Sequence, residues 1–292
     1  MKSFEYLSPD TREEALSLLR TLGEKSKIIA GGTDLLVDME EGREAPDYVI
    51  NILGLEGLKS IREEAGVTHI GPLTTFDDLE KDSHIQNRVR VLFQAAWSMG
   101  SPQIRNRATL GGNVGKTSVA GDGLSALMAL NASVELTSLD GVREITLDEL
   151  TQGPGDNSMA PQEMITDIFF TTPTETTATS FYKLARRRAL GISDIGAAMC
   201  VTVDGSHVCR KAAIRGGALA RYPLRFAEAE DFLLGRELNW ENLEATFPML
   251  MDKVCDSLRE RPWEIPYKKG SVAGVFKNVY QDVLEQFEEA GR

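Results

Sequence analysis

The spacing of apolar positions along this chain changes several times, and each change predicts an element. In "REEALSLLRTL" (12–22), Ala15, Leu18, Leu19 and Leu22 recur at helical spacing. Asp10 stands where that helix needs an N-cap, with Glu13 three residues on in a capping-box position. "KIIA" (27–30) predicts a short strand. Two glycines follow, "DLLVDMEEG" (34–42) reads as a helical turn, and "DYVINI" (47–52) as a second strand. The opening stretch is therefore a small β-loop-α-β unit.

The pattern then becomes mixed. "VTHIGPLTT" (67–75) predicts a strand, and Thr75 can cap a helix over "FDDLEKD". A longer helix is expected over Ile85–Met99, with Val89, Leu92, Phe93 and Ala96 on one side and Gly100 as its terminator. "SPQIRNRATLGGNV" (101–114) reads as loop and "DGLSALMAL" (122–130) as helix. "SVELTSLDGVREITL" (133–147) reads as a hairpin turning at Asp140–Gly141. "TQGPGDNSMAPQ" is turn-rich, "EMITDIFFTT" (163–172) is a strand, and the polar "PTETTATS" (173–180) is a candidate domain boundary. "SFYKLARRR" and "AAMCVTVDGSHVCRKAAIRGG" then read as antiparallel strands with an Asp-Gly turn at 204–205. "LRFAEAEDFLL", "WENLEATFPMLMDKVCDSLRE" and "VAGVFKNVYQDVLEQFEEA" carry helical periods. A β/α start, a mixed middle and a sheet followed by helices argue for an α+β fold.

Charge and composition narrow the partners. The 292 residues carry 44 acids against 32 bases, a net charge of -12, which argues against nucleic acid as a partner. No apolar run approaches the roughly 18–20 residues of a membrane span, and "MKSFEYLSPD" lacks a signal-peptide core, so no membrane and a cytoplasmic setting are expected. The three cysteines (Cys200, Cys209, Cys255) match no cluster spacing and read as free thiols. The three histidines are far apart, which disfavours zinc or a His-tethered cofactor. Redox chemistry on this chain would need a non-covalent organic cofactor.

Four stretches can carry such chemistry. Ala30-Gly31-Gly32-Thr33-Asp34 fits neither GxGxxG nor GxxxxGK[ST], yet paired glycines let successive N–H groups converge on an anion. Asp34 is expected to turn away and cap the following helix; a plain tight turn is the alternative reading of the loop. Thr109-Leu110-Gly111-Gly112-Asn113 offers a second close-approach backbone, and a diphosphate held between the two loops needs no basic side chain. Arg105 and Arg107 upstream also read as salt-bridging surface residues. Asp122 suits sugar or ribityl hydroxyls, or the cap of its own helix. Lys183 can reach a ring carbonyl or reduced flavin, while Arg186, Arg187 and Arg188 after it read equally as a solvated face.

These stretches together resemble a known family. "IIAGGTDLL", "QIRNRATLGGNV…AGDG…ALNASVEL", "FYKLARRRALGISDIGAAM" and "IRGGALARYPLR" are similar to the FAD-binding medium subunits of the molybdenum hydroxylases (the xanthine dehydrogenase family). "RPWEIPYKKGSVAGVFK" and "SPQIRNRATLGGN" look closest to the nicotinate dehydrogenase branch. The 4-hydroxybenzoyl-CoA reductase branch is excluded, because 113–132 holds no cysteine-bearing insertion. The resemblance implies a PCMH-type FAD-binding fold of two α/β subdomains, 1–55 and 56–175. A C-terminal α+β domain of the CO dehydrogenase flavoprotein type, an antiparallel sheet plus helices, would follow at 176–292. It implies non-covalent FAD contacted by Lys27, Ile29, Ala30, Gly31, Gly32, Thr33, Asp34 and Leu35 from the first loop. From the second come Thr109, Gly111, Gly112, Asn113, Lys116 and Thr117. Asp122 would bind ribityl or sugar hydroxyls. Gly100, Ile104, Met164, Ile165 and Lys183 would lie near the ring, and no side chain is assigned a catalytic role. A molybdopterin-binding large subunit would hydroxylate an N-heterocycle such as a purine or nicotinate. A small [2Fe–2S] subunit would pass electrons to this FAD, and NAD(P)+ or another acceptor would receive them. The rival reading is a stand-alone PCMH-type flavin oxidoreductase acting directly on a small substrate.

Overall fold

Three successive sheets organise the computed structural model, which describes residues 2–187 and 190–290. Arg188, the last of the arginine run, lies outside the described residues. The first unit contains β1 (Glu5–Leu7), α1 (Arg12–Leu22), β2 (Ser26–Ile29), α2 (Leu35–Glu40) and β3 (Tyr48–Asn51). Its strands form a parallel sheet ordered β1-β3-β2. The cap of α1 falls one residue later than the sequence pattern indicates. Thr11 accepts from Glu14 N–H, and the Glu14 carboxylate accepts from Asp10 N–H at 2.9 Å. That register buries Ala15, Leu16 and Leu19 against the sheet, leaving Leu18 and Leu22 at its margin.

The second unit runs through β4 (Ile61–Glu64), β5 (Val67–Ile70), α3 (Phe76–Lys81), α4 (Ser83–Arg88), α5 (Arg90–Ser98), α6 (Pro102–Arg105), α7 (Leu110–Lys116) and α8 (Asp122–Ala129). It continues with β6 (Ser133–Ser138), β7 (Gly141–Thr146), α9 (Leu147–Leu150), β8 (Thr151–Gly153), β9 (Asp156–Asn157) and β10 (Met164–Thr171). Five strands make an antiparallel sheet ordered β4-β5-β10-β6-β7. Thr75 caps α3 in a full capping box with Asp78, the expected role. The single helix expected over 85–99 is two helices. Val89 leaves helical geometry at φ -128°, ψ 56°, and Val91 N–H donates to Thr179 Oγ1 instead of continuing the ladder. The hairpin turns on Leu139–Asp140, because Gly141 already pairs with Ser138. The segment expected as loop, 101–114, instead starts α6 and α7, with the second Gly-Gly inside a helix that Thr109 caps.

The third unit contains β11 (Thr177–Ala185), β12 (Ser193–Val203), β13 (Cys209–Gly217), β14 (Leu224–Arg225), α10 (Ala227–Leu233), α11 (Trp240–Glu244), α12 (Phe247–Ser257) and α13 (Ile265–Ala290). Its antiparallel sheet, β11-β12-β13-β14, packs α13 against one side. Helices α5 and α8 of the second unit also pack on it, and Phe181 and Ala198 join their core. Pro248 divides the helix expected over 240–260: lacking an N–H, it begins α12 rather than continuing α11. No described helix is long and apolar enough to cross a membrane.

A buried ion cluster joins units two and three. The Arg215 guanidinium, 1% exposed, donates to Glu230 at 2.8 Å and to Asp148 of α9 at 3.3 Å. Glu230 also accepts from Ile214 N–H and from Arg225. Removing a partner from such a cluster strands the other charge in a low dielectric. Glu230→Ala is therefore expected to cost about 3–5 kcal/mol in urea unfolding. Asp148→Ala, at the exposed end, should cost about 0–1 kcal/mol.

Candidate functional site

Between the first and second units lies a cavity of about 660 Å³. It exists because two backbone segments touch. An added Cβ on Gly31 would sit 1.9 Å from the Arg107 carbonyl oxygen, so only glycine permits this approach. Gly32 follows with φ +73°, in the left-handed region that glycine adopts without strain. The chain then enters α2 with five consecutive N–H groups, Gly31 to Leu35, that have no protein acceptor among the described residues. All five residues border the cavity. Unpaired donors in sequence at a helix start form an anion-binding concavity.

Asp34 departs from its expected role. It occupies the N-cap position of α2, but its side chain makes no capping bond, because its own backbone is already αR. Partial burial raises its carboxyl above the ordinary range; Lys116 opposes this and Asp38 adds to it.

The second loop works differently from the first. Leu110 N–H donates to Thr74 O, Gly111 N–H to Pro72 O at 2.9 Å, Gly112 N–H to Thr109 Oγ1 at 3.1 Å, and Asn113 N–H to Thr109 O. The expectation that its glycines supply free donors therefore does not hold: the N-cap and the neighbouring Pro72–Thr74 segment consume them. What the glycines supply is proximity. A Cβ on Gly111 would overlap Pro72 at 2.4 Å, while Gly112 is exposed, with only Thr109 Oγ1 near its missing Cβ. Gly112 thus shows bare backbone to the cavity.

Fifteen of the residues expected at the cofactor border this one space. Lys27, Ile29, Ala30, Gly31, Gly32, Thr33, Asp34 and Leu35 form one side, and Thr109, Gly111, Gly112, Asn113 and Lys116 the other. Met164 and Ile165, both buried, add an apolar wall from the start of β10. Lys27 pairs with Glu44 at 3.0 Å, and the Asn113 side-chain oxygen accepts from Leu124 N–H at 2.9 Å.

Five expected residues are not brought to the cavity. Gly100 (φ +50°) is covered by Ile104, although their neighbour Met99 does line the space. Thr117 is fully buried in a left-handed C-cap and donates to Asp156 O. Asp122 is neither a free hydroxyl acceptor nor a cap. Its carboxylate accepts from Lys183 Nζ at 2.6 Å and from Ser193 Oγ at 2.5 Å, and Gly121 takes the N-cap position. Lys183, correspondingly, is spent on Asp122 and on Ser98 O at 3.4 Å. Arg105 is a helix-end ion pair with Glu80 at 2.7 Å and also donates to Met99 O.

Sequence reasoning missed Met99, Asp38 and the stretch from Gly155 to Glu163, which closes the cavity from a third direction. The stretch's glycines and prolines marked a loop, and loops on a rigid scaffold commonly carry function. Six acidic side chains border the cavity, Glu24, Asp34, Asp38, Glu44, Asp156 and Glu163, against the two lysines Lys27 and Lys116. Lys116 reaches from α7 across to Asp38 of α2, whose other oxygen accepts from Arg43 at 2.8 Å. Burial alone would raise the Asp38 carboxyl, but the bonds from Lys116 and Arg43 outweigh it and hold it below the ordinary value.

Comparison with known proteins identifies the family. Residues 2–173 match the FAD binding domain in molybdopterin dehydrogenase, and residues 180–283 the CO dehydrogenase flavoprotein C-terminal domain. The chain is 46% identical to the nicotinate dehydrogenase FAD-subunit of Eubacterium barkeri, over 99% of this chain and 98% of that one. It is 34% identical to the nicotine 6-hydroxylase medium subunit of Paenarthrobacter nicotinovorans, over 84% and 85% of the two chains. A chain in the solved carbon monoxide dehydrogenase of Hydrogenophaga pseudoflava superposes with a TM-score of 0.90 at 26% identity, covering 97% of this chain and 98% of that one.

Two stability tests follow from the loops. Gly31→Ala forces a Cβ into a backbone carbonyl and should cost about 1–3 kcal/mol in denaturant unfolding. Gly54→Ala, which meets nothing within 4 Å, should leave stability nearly unchanged. For Asp38, a folded value below the unfolded one means its stabilisation is complete above about pH 3.9 and is lost as pH falls through the lower folded value. Asp38→Asn should remove that acid-side loss from a pH series of unfolding midpoints.

Proposed function

Because this chain belongs to the FAD-binding subunits of the molybdenum hydroxylase family, we propose that it holds FAD in the cavity between its first two units and passes electrons onward from a partner's [2Fe–2S] clusters. The observation that carries the reading is the run of unpaired N–H groups from Gly31 to Leu35, facing the bare backbone of Gly112 across one cavity. The fit is good on this chain's own terms. The donors suit a diphosphate, the volume lies in the range of cofactor sites, and Ile29, Met164 and Ile165 offer apolar cover. FAD would supply an electron carrier that the protein's own side chains cannot provide. The chain's part is to bind, orient and shield it.

In this reading residues 1–55 and 56–175 are the two FAD-binding subdomains and 176–292 the C-terminal domain. The family matches, which break between 173 and 180, support the second of these boundaries. The partners are a molybdopterin-binding large subunit and a [2Fe–2S] small subunit, and the acceptor is NAD(P)+ or another oxidant. Likeness to a nicotinate dehydrogenase subunit over the whole chain favours an N-heterocycle as the substrate of the complex. Three unpaired cysteines suit a reducing cytoplasm. Lys183 and Asp122 form a buried pair beside the Ser98 carbonyl, next to Met99 of the cavity wall, and neither borders the cavity.

The purified chain should show the visible absorption of oxidised flavin, and affinity capture from its source should bring down molybdenum and iron. Gly112→Val, which places a branched side chain at the bare backbone, should fold but purify without flavin; Gly32→Val should also lose flavin, at an added cost in stability from its positive φ. Full flavin content in Gly112→Val would overturn the site. Turnover of an organic substrate by the isolated chain would identify a stand-alone flavin enzyme instead.

A further inference from the structure

We propose that Lys116 is the cation that answers the charge of the bound diphosphate, and that Arg43 and Asp38 form the holder from which it is lent; this rests on the flavin reading above.

The charges around the cavity are mismatched to its expected ligand. The cavity border is predominantly acidic, yet the ligand end that the N–H run suits is a dianion. Neutral N–H groups orient such an anion but leave its charge uncompensated, and the surrounding carboxylates oppose it. Among the described residues only two cations border the space. Lys27 is held by Glu44 on its own unit, and its side chain is 44% exposed, so solvent weakens its field. Lys116 projects from the helix that carries Gly112 and crosses to the helix that the N–H run leads into. Its field reaches Asp34 as well as Asp38, which sets the ammonium within electrostatic range of the donor run itself.

Asp38 is equipped to give Lys116 up in part. Its side chain is 7% exposed, so losing its sole cation would leave a buried, unpaired charge. It does not have a sole cation. Arg43 donates to Oδ1 at 2.8 Å while Lys116 donates to Oδ2. With Arg43 in place, sharing Lys116 with an incoming anion leaves Asp38 compensated. Lys116 itself is 35% exposed and so is not sealed against a ligand. The alternative is that Lys116 and Asp38 are only a strut between the two units, and the two ideas predict opposite signs for one substitution.

The test uses the full chain stripped of flavin and titrated with FAD, with ADP as a diphosphate probe and with adenosine as a probe lacking phosphate. Lys116→Met should weaken FAD and ADP by about ten- to a hundredfold, the scale of one charge-assisted bond. It should leave adenosine unchanged and flatten the salt dependence of ADP binding. Asp38→Asn frees Lys116 and removes a repelling charge, so it should bind FAD and ADP at least as tightly as the parent. The proposal is overturned if Lys116→Met keeps the parent's affinities, or if both variants lose FAD, ADP and adenosine alike in step with a fall in melting temperature. A parent chain that takes up neither FAD nor ADP overturns the flavin reading itself, a result distinct from either variant's behaviour.

Discussion

The contact of Gly31 with the Arg107 carbonyl is the constraint on which the site depends. Three consequences follow from that approach of two backbones. It stacks the first loop on the segment leading into the second, since Arg107 is two residues before the Thr109 cap. It places the donor run opposite α7 rather than in solvent. And the supported segment is itself rigid, because Ala108 O accepts from Phe76 N–H at the start of α3, and Leu110 N–H donates to Thr74 O. Two glycine pairs that look alike in sequence therefore do different work. The first leaves donors unpaired, while the second spends its donors to bring a helix close.

This division explains how a chain of net charge -12 can hold an anion. Backbone N–H groups act at contact and in fixed directions, whereas two of the carboxylates on the border are already answered by cations of the chain itself, Asp38 by Lys116 and Arg43 and Glu163 by Arg143. A site built from peptide donors tolerates an acidic rim that a site built from lysines would neutralise. The same rim makes the few cations present important. Lys116 is tied to the first unit through Asp38, so its position reports the relative placement of the two units as well as the charge of the site.

Much of the fold was legible in the sequence where local chemistry decides it. The Thr75–Asp78 capping box, the "KII" strand before the first loop and the sheet-then-helices order of the last third follow from residue pattern alone. The errors fall where a distant partner decides. The helix breaks at Val89, and Thr179, from another unit, takes the Val91 N–H two residues on. β4 ("IREE") has no apolar alternation, and β5 recruits it as an edge strand. Leu139, not the glycine, turns the hairpin, because β6 pairs one residue further than the Asp-Gly signal indicates. The glycine loops stood out as chemistry, but which N–H groups stay free depends on Pro72 and Thr74, 35 or more residues away in the chain. Asp122 and Lys183 stood out as separate candidates; only the third dimension shows that they satisfy each other.

That last pairing changes how the third unit relates to the cavity. Lys183 lies on β11, Ser193 on β12 and Asp122 at the first turn of α8, so one carboxylate ties two strands of the third unit to a helix of the second. Beside it, Phe181 N–H donates to the Gln94 side chain, and Lys183 donates to Ser98 O at the end of α5. Helix α5 is thus gripped along its length by β11, and it ends one residue before Met99, a wall of the cavity. Asp282 of α13 grips the opposite end through Arg90 at 2.5 Å. Buried polar ties of this kind resist sliding more than they add net stability, since each group must give up water to form them. Together they join the third unit to both ends of α5, next to the Met99 wall. The shape of the cavity at that end is therefore tied to residues that lie outside its lining.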